Sequence, residues 1–251
     1  MIDLVDVSKS FGDHEVLRGI TLSAERGETT VILGRSGTGK SVMLKCIVGL
    51  LTPDEGKVLA EGSEVAAMKR RELEVWRRRV GYLFQNGALY DSMTVGENLL
   101  FPLRRRKDLS EDDKLDMAQE RLAWVGLEGT LDKEPSDLSG GMRKRAALAR
   151  TLMNDPDVIL YDEPTTGLDP VTSNEIAQLI ARLKDERGVT GIAVTHDIAC
   201  AQLIADRVAF LHQGKVLATG TWEEIAAANV PLVQSFLATE FTREPLHLDE
   251  E

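Results

Sequence analysis

The chain has 251 residues, 43% of them apolar and 28% charged, with a formal net charge of −11. That length suits one large domain or a domain with a subdomain, and the acidic balance excludes a general nucleic-acid surface, which needs basic side chains to displace counterions. Two cysteines, Cys46 and Cys200, are too few for a disulfide framework and read as reduced core thiols, while no apolar run approaches the roughly 20 residues of a membrane span.

Short runs rich in Val and Ile open the chain: "IDLVDV", "GITLSA", "TTVILG", "KVLAEG" and "VGYLFQ" read as strands separated by glycine-bearing turns. The opening "MIDLVDVSKSFG" lacks the basic-then-apolar order of a secretory leader, so a cytosolic protein is expected. Between the strands, "KRRELEVWRRR" and, later, "RRRK" read as solvated helix faces. The middle third changes period. "TVGENLLFPL" begins with a capping box, Thr94 and Glu97. In "SEDDKLDMAQERLAWVGL", Leu115, Ala118, Leu122 and Val125 fall at helical spacing before Gly126. Residues 86–154 therefore predict a helical insert in an α/β body. Strands return in "DVILYDEP", "GIAVTHD", "RVAFLHQG" and "KVLATG", and Asp169-Pro170 reads as a cap and first turn for the helix between them. The tail starts as an amphipathic helix and ends acidic.

Two stretches carry chemistry. "GRSGTGKS" (34–41) lies between a strand and a helix and matches the phosphate loop G-x-x-x-x-G-K-[ST]. Gly34, Arg35, Ser36, Gly37, Thr38, Gly39 and, opening the helix, Val42 form the cradle; Lys40 supplies a charge for the β- and γ-phosphates, and the Ser41 hydroxyl a ligand for Mg²⁺. "VILYDE" supplies the other half. Asp162 reaches the strand end to hold Mg²⁺ through water, and Glu163 beside it can orient or deprotonate a water that attacks the γ-phosphate. His196 ends a strand and is a candidate γ-phosphate contact; Gln85 ends another and is a candidate Mg²⁺ and water ligand. The second stretch is "LSGGM", Leu138, Ser139, Gly140, Gly141 and Met142, at a helix start. Its hydroxyl, backbone N–H groups and helix dipole make a second anion site, and the basic run Arg143, Lys144 and Arg145 is expected to strengthen the field there unless it simply faces solvent. A second copy, related by twofold symmetry, would use it to close over the first copy's nucleotide.

Phe11, "GRSGTGKS", Gln85, "LSGG", "VILYDEP", "TTGLD" and His196 stand in the order of the ATP-binding cassette (ABC) transporter ATPases, which the chain resembles over about residues 1–230. The resemblance implies a P-loop NTPase fold: a RecA-like core (1–85 and 155–237) with an N-terminal antiparallel β-subdomain, a helical subdomain (86–154) and a C-terminal extension (238–251). It implies an Mg²⁺-dependent ATPase working as a homodimer, with Phe11 on the adenine and Asp169 coupling the two sites. It also implies a permease docking segment at about 86–103, with Leu89, Tyr90, Met93, Val95, Leu99 and Phe101 available, on the cytoplasmic face of a bacterial inner membrane. Met142 departs from the family's usual glutamine. "LSGGM" with "NGALYDSMTVGENLLFPLR" is similar to the branch that drives phospholipid transport with Mce-domain proteins. The alternative is a cassette serving an importer of a polar solute such as an amino acid. A soluble cassette acting on DNA or ribosomes would carry a long coiled coil or two tandem cassettes, and a metabolite kinase would leave "LSGGM" without a use.

Overall fold

In the computed structural model, which describes residues 1–241, every run read as a strand is one. The strands are β1 (Ile2–Phe11), β2 (His14–Ala24), β3 (Thr29–Leu33), β4 (Glu55–Ala60), β5 (Ser63–Glu64), β6 (Val80–Leu83), β7 (Val158–Asp162), β8 (Thr190–Thr195), β9 (Arg207–His212) and β10 (Lys215–Gly220). They form an antiparallel sheet, β2-β1-β4-β5, and a second sheet, β10-β9-β3-β8-β7-β6. In the second sheet only the β9–β10 pair is antiparallel. The helices are α1 (Lys40–Ile47), α2 (Arg70–Arg79), α3 (Val95–Leu100), α4 (Glu111–Trp124), α5 (Gly140–Thr151), α6 (Pro170–Arg187), α7 (Ile198–Ile204), α8 (Trp222–Ala227) and α9 (Pro231–Phe241).

All five residues of β3 are buried, as a strand covered on both faces requires. Helix α1 fills the space between the sheets, its Met43, Leu44 and Ile47 packing with Leu4, Ile20, Ile32 and Val194. The opposite face of the parallel sheet is covered by a second core that α3 to α9 share. Pairing of Leu33 with Thr195, Asp162 with Val194 and Leu83 with Tyr161 brings four strand ends level. Ligands bind along such an edge in open α/β sheets, because the loops and helix N-termini gather there. Helices α3, α4 and α5 fall between β6 and β7, where the helical insert was expected.

Several local readings hold. Thr94 and Glu97 form the capping box of α3, with Glu97 N–H on Thr94 Oγ1 at 3.2 Å and Thr94 N–H on Glu97 Oε2 at 2.8 Å. Gly126, at φ +67°, ends α4 just past Val125. Asp169 caps α6 with Pro170 as its first residue.

Others need correction. Leu115 is 40% exposed and does not belong to the inner stripe of α4, where Ala118, Leu122 and the stem of Arg121 lie instead. The "KRRELEVWRRR" helix is not wholly solvated. Its Trp76 is 4% exposed and donates its indole N–H to the Ile47 carbonyl at 3.0 Å. Arg77 reaches the Val48 and Gly49 carbonyls at the end of α1, and Arg79 pairs with Glu61 and Asp157. Helix α9 runs without a break across residue 237, so no change of element marks the expected start of the extension; residues 242–251 of that extension lie outside the described residues.

Candidate nucleotide site

The glycine loop leaves β3 at its C-terminal end. A Cβ at Gly34 would collide with the Leu211 carbonyl oxygen, and Gly37 and Gly39 sit at φ +80° and +99°. Gly39 also lies against Val16 and Leu17, where a side chain has no room, so glycine is required there on two counts. Arg35, Ser36 and Gly37 are exposed and Thr38 is half-buried, its hydroxyl donating to the Arg35 carbonyl at 2.9 Å. Lys40 and Ser41 begin α1, with Val42 half-buried behind them.

Lys40 is buried. Its ammonium donates to the Gly34 carbonyl at 2.7 Å and the Arg35 carbonyl at 3.1 Å, and lies 3.1 Å from Glu163 Oε1. Ser41 Oγ donates to Asp162 Oδ1 at 2.7 Å, while the Tyr82 hydroxyl donates to Asp162 Oδ2 at 2.9 Å. Burial and the neighbouring Asp162 charge push the Tyr82 phenol well above its usual range, so it stays a donor. Glu163 follows β7 in the left-handed region at φ +50°, its N–H on the Val194 carbonyl. Its Oε2 accepts from Thr166 Oγ1 at 3.2 Å and lies 2.9 Å from His196 Nδ1. Against a carboxylate, which only accepts, Nδ1 carries the hydrogen. Lys40, Ser41, Asp162, Glu163 and His196, predicted from three separate segments, thus meet at one sheet edge. Gln85 is exposed just beyond β6, and Phe11, 49% exposed, ends β1.

Ser41 and Asp162 fit magnesium, being hard oxygen donors. Among the described residues no group of three His, Cys, Asp or Glu could hold a metal by itself. A cation at Ser41 and Asp162 would need further oxygens, such as those of a triphosphate.

Leu138 is buried, and Ser139 caps α5 by accepting the Met142 N–H at 3.3 Å. Ser139 and Gly140 are exposed at the helix tip. The atoms that side chains at Gly140 and Gly141 would meet belong to Leu168 and Thr172 of the same chain. Met142 is half-buried and packs on the larger core. Asp169 accepts from the Val171 and Thr172 N–H groups and from Thr172 Oγ1 at 2.5 Å; these bonds, the hydroxyl first, hold its carboxyl below the usual range.

In the segment 86–103, Val95 and Leu99 are fully buried and unavailable for docking, contrary to the expectation. With Leu103 they form the inward i, i+4, i+8 stripe of α3 and the turn after it. Tyr90 is exposed and Leu89, Met93 and Phe101 are partly so. Met93, Leu100 and Phe101 line an open groove whose rim carries Glu97, Arg104, Glu111 and Lys114.

Two residues escaped the sequence reading, and a third was read for another role. Tyr82 anchors Asp162. Buried Asn98 ties the loop before α3, accepting from the Tyr90 N–H, with its amide nitrogen within 3.2 Å of the Tyr90, Met93 and Thr94 carbonyls that share its two N–H groups; a lone amide inside an apolar helix was its signal. Lys144 belongs to a basic run expected to strengthen the field around the phosphates. Instead its ammonium is buried against the Gln85 and Glu163 carbonyls, and burial lowers it to about 8. Its neighbours turn to their own chain as well, Arg143 to the Leu138 carbonyl and Arg145 to Glu175.

The sequence matches the ABC transporter family over residues 17–166. It is 41% identical over 236 residues to the probable ribonucleotide transport ATP-binding protein mkl of Mycobacterium tuberculosis, covering 94% of this chain and 66% of that protein's length. It is 39% identical over 237 residues to the intermembrane phospholipid transport system ATP-binding protein MlaF of Escherichia coli, covering 94% of this chain and 88% of that one. The fold superposes on a solved dimer of an ATP-binding cassette in a post-hydrolysis state bound to ADP and phosphate, with a TM-score of 0.80 and 35% identity over 88% of this chain and 98% of that one. A glycine loop, two acidic strand-end residues and a serine-capped helix tip stand together on this sheet order, and the family match over residues 17–166 gives them one assignment: the chain belongs to the ABC transporter family.

Proposed function

We propose that the chain is the ATP-hydrolysing motor of a membrane transport assembly, paired with a second copy of itself so that each nucleotide lies between residues 34–42 of one copy and 138–142 of the other. The observation that carries this is the division of the site. Lys40, Ser41, Asp162, Glu163 and His196 form one network, while Ser139 and Gly140 stand exposed at another helix tip with no part in it. Phe11 stacks on the adenine, the loop N–H groups hold the phosphates, and Lys40 leaves Glu163 to meet the β- and γ-oxygens. Ser41, Asp162 through water, and Gln85 are the residues that would hold magnesium, which when bound neutralises phosphate charge. Glu163 orients and deprotonates the attacking water, and His196 contacts the γ-phosphate with the ring that Glu163 fixes. Asp169, beside the tip of α5, couples the two sites.

The transported class is phospholipid, supported by the likeness to MlaF and by the "LSGGM" stretch. No described helix is long and apolar enough to cross a membrane. In this reading the chain docks to a permease through the groove beside Phe101, at the cytoplasmic face of a bacterial inner membrane, with an Mce-domain protein carrying the lipid. The name of the mycobacterial relative favours a second reading, a polar solute. Co-purification of an Mce-domain subunit supports the lipid, and a soluble solute-binding partner replaces it.

The shared site is tested by mixing Ser139→Arg with Lys40→Ala chains, each inactive alone. Random pairing makes half the dimers mixed, each with one of two sites intact, so about a quarter of wild-type turnover returns. No recovery from dimers shown to have formed refutes the shared site.

A further inference from the structure

Helix α5 carries a polar stripe aimed at its own chain. Lys144 donates to the Gln85 carbonyl, and its Nζ lies 3.4 Å from the Glu163 carbonyl. Two turns on, Arg150 donates to the Gly87 carbonyl at 2.8 Å and the Ala88 carbonyl at 2.7 Å. Thr151 Oγ1 sits 3.4 Å from the Tyr82 carbonyl, and between them Ala147 lies so close to Gly87 that a side chain there would stand 3.1 Å away. Positions 144, 147 and 151 share one helix face, with 150 beside it. Past Leu83 the β6 ladder ends, and the Gln85, Gly87 and Ala88 carbonyls accept from α5 instead. Ala88 and Glu163 both hold the left-handed conformation, at φ +51° and +50°, which side-chain-bearing residues keep only where their surroundings impose it.

We propose that Lys144 is a positioning residue: buried between the Gln85 and Glu163 carbonyls, it fixes both side chains relative to the tip of its own helix. The helix that reaches the partner's nucleotide thereby also sets the water-handling groups of its own copy. This rests on the shared-site reading above.

The test compares Lys144→Met, of similar length but without donors, with Lys144→Gln, whose amide keeps two N–H groups. Both are made in the full chain. Turnover is read against ATP concentration, ADP affinity by titration, and amide exchange across residues 84–88 by mass spectrometry. Lys144→Met is expected to lower kcat about 30-fold with KM and ADP affinity held within about twofold. Exchange at 84–88 should rise about tenfold while the glycine loop stays protected. Lys144→Gln should return kcat to within about threefold of wild type. The positioning role is overturned by a kcat in Lys144→Met within threefold of wild type, or by failure of Lys144→Gln to recover it. Loss of ADP binding in step with kcat also overturns it, making Lys144 a strut. Glu163→Gln, measured alongside, separates the two ideas: if it stalls while Lys144→Met turns over freely, the role of Glu163 stands and that of Lys144 falls.

Discussion

Replacing Glu163 by glutamine removes one charge from a nearly closed site and keeps its shape. The carboxylate, 7% exposed, is shared by Lys40 at 3.1 Å, His196 at 2.9 Å and Thr166 at 3.2 Å. An ammonium has three donors, and those of Lys40 are taken by the Gly34 carbonyl, the Arg35 carbonyl and Glu163. An incoming phosphate must displace one of them. A bond to a charged group is worth about 1.5–3 kcal/mol and a neutral one about 0.5–1.5. Exchanging the first for the second makes release of Lys40 easier by about 1–1.5 kcal/mol, which is about 5–10-fold in nucleotide affinity. The same substitution removes the proposed base and costs about 10²–10⁴ in turnover. Affinity and rate should therefore move in opposite directions. Calorimetric titration with a non-hydrolysable ATP analogue reads the first, in both proteins, without interference from turnover; phosphate release reads the second. Weaker binding of the analogue by Glu163→Gln refutes the competition for Lys40. Turnover above about a tenth of wild type refutes the base.

Trp76→Ala should cost about 3–5 kcal/mol, since it empties a buried site and leaves the Ile47 carbonyl without its indole donor. Urea unfolding measures it, and a loss under about 1 kcal/mol would mean that α2 is not a structural support for α1. Burial raises the Cys46 thiol from 9.0 to about 11 and the Cys200 thiol to about 12, so neither should react with iodoacetamide at pH 8 faster than the protein unfolds. Because the folded chain keeps protons that the unfolded chain has released, the thiols' contribution is complete below pH 9 and declines as pH rises through about 11; urea midpoints that climb over that interval would contradict it.

The strands and the glycine loop were legible because each is written in adjacent residues. Five consecutive buried positions in "TTVIL" need no partner to be recognised, and the positive φ of Gly37 and Gly39 belongs to the loop's own backbone. His196 and Glu163 were placed by strand ends alone, since parallel strands in register must deliver their last residues to one edge. The contents of charged helices were not legible. Trp76 sits in a run so basic that composition predicts solvent, and Lys144 in one read as charge beside the phosphates; only the packing of α2 and α5 decides which side turns inward. Val95 and Leu99 failed for the opposite reason. Their four-residue spacing marks a core stripe, but an apolar segment beside a docking site looks like the docking surface itself. Tyr82 had no local signal, because its partner Asp162 lies 80 positions away.

The packing of Gly141 bears on the origin of the serine-glycine-glycine tip. A methyl group at that position would strike Thr172, whose hydroxyl is tied to Asp169. An isolated copy thus rejects alanine there before any nucleotide or twin arrives. The second glycine is a spacer between two helix starts, and a larger residue there would push α5 and α6 apart from inside the subunit.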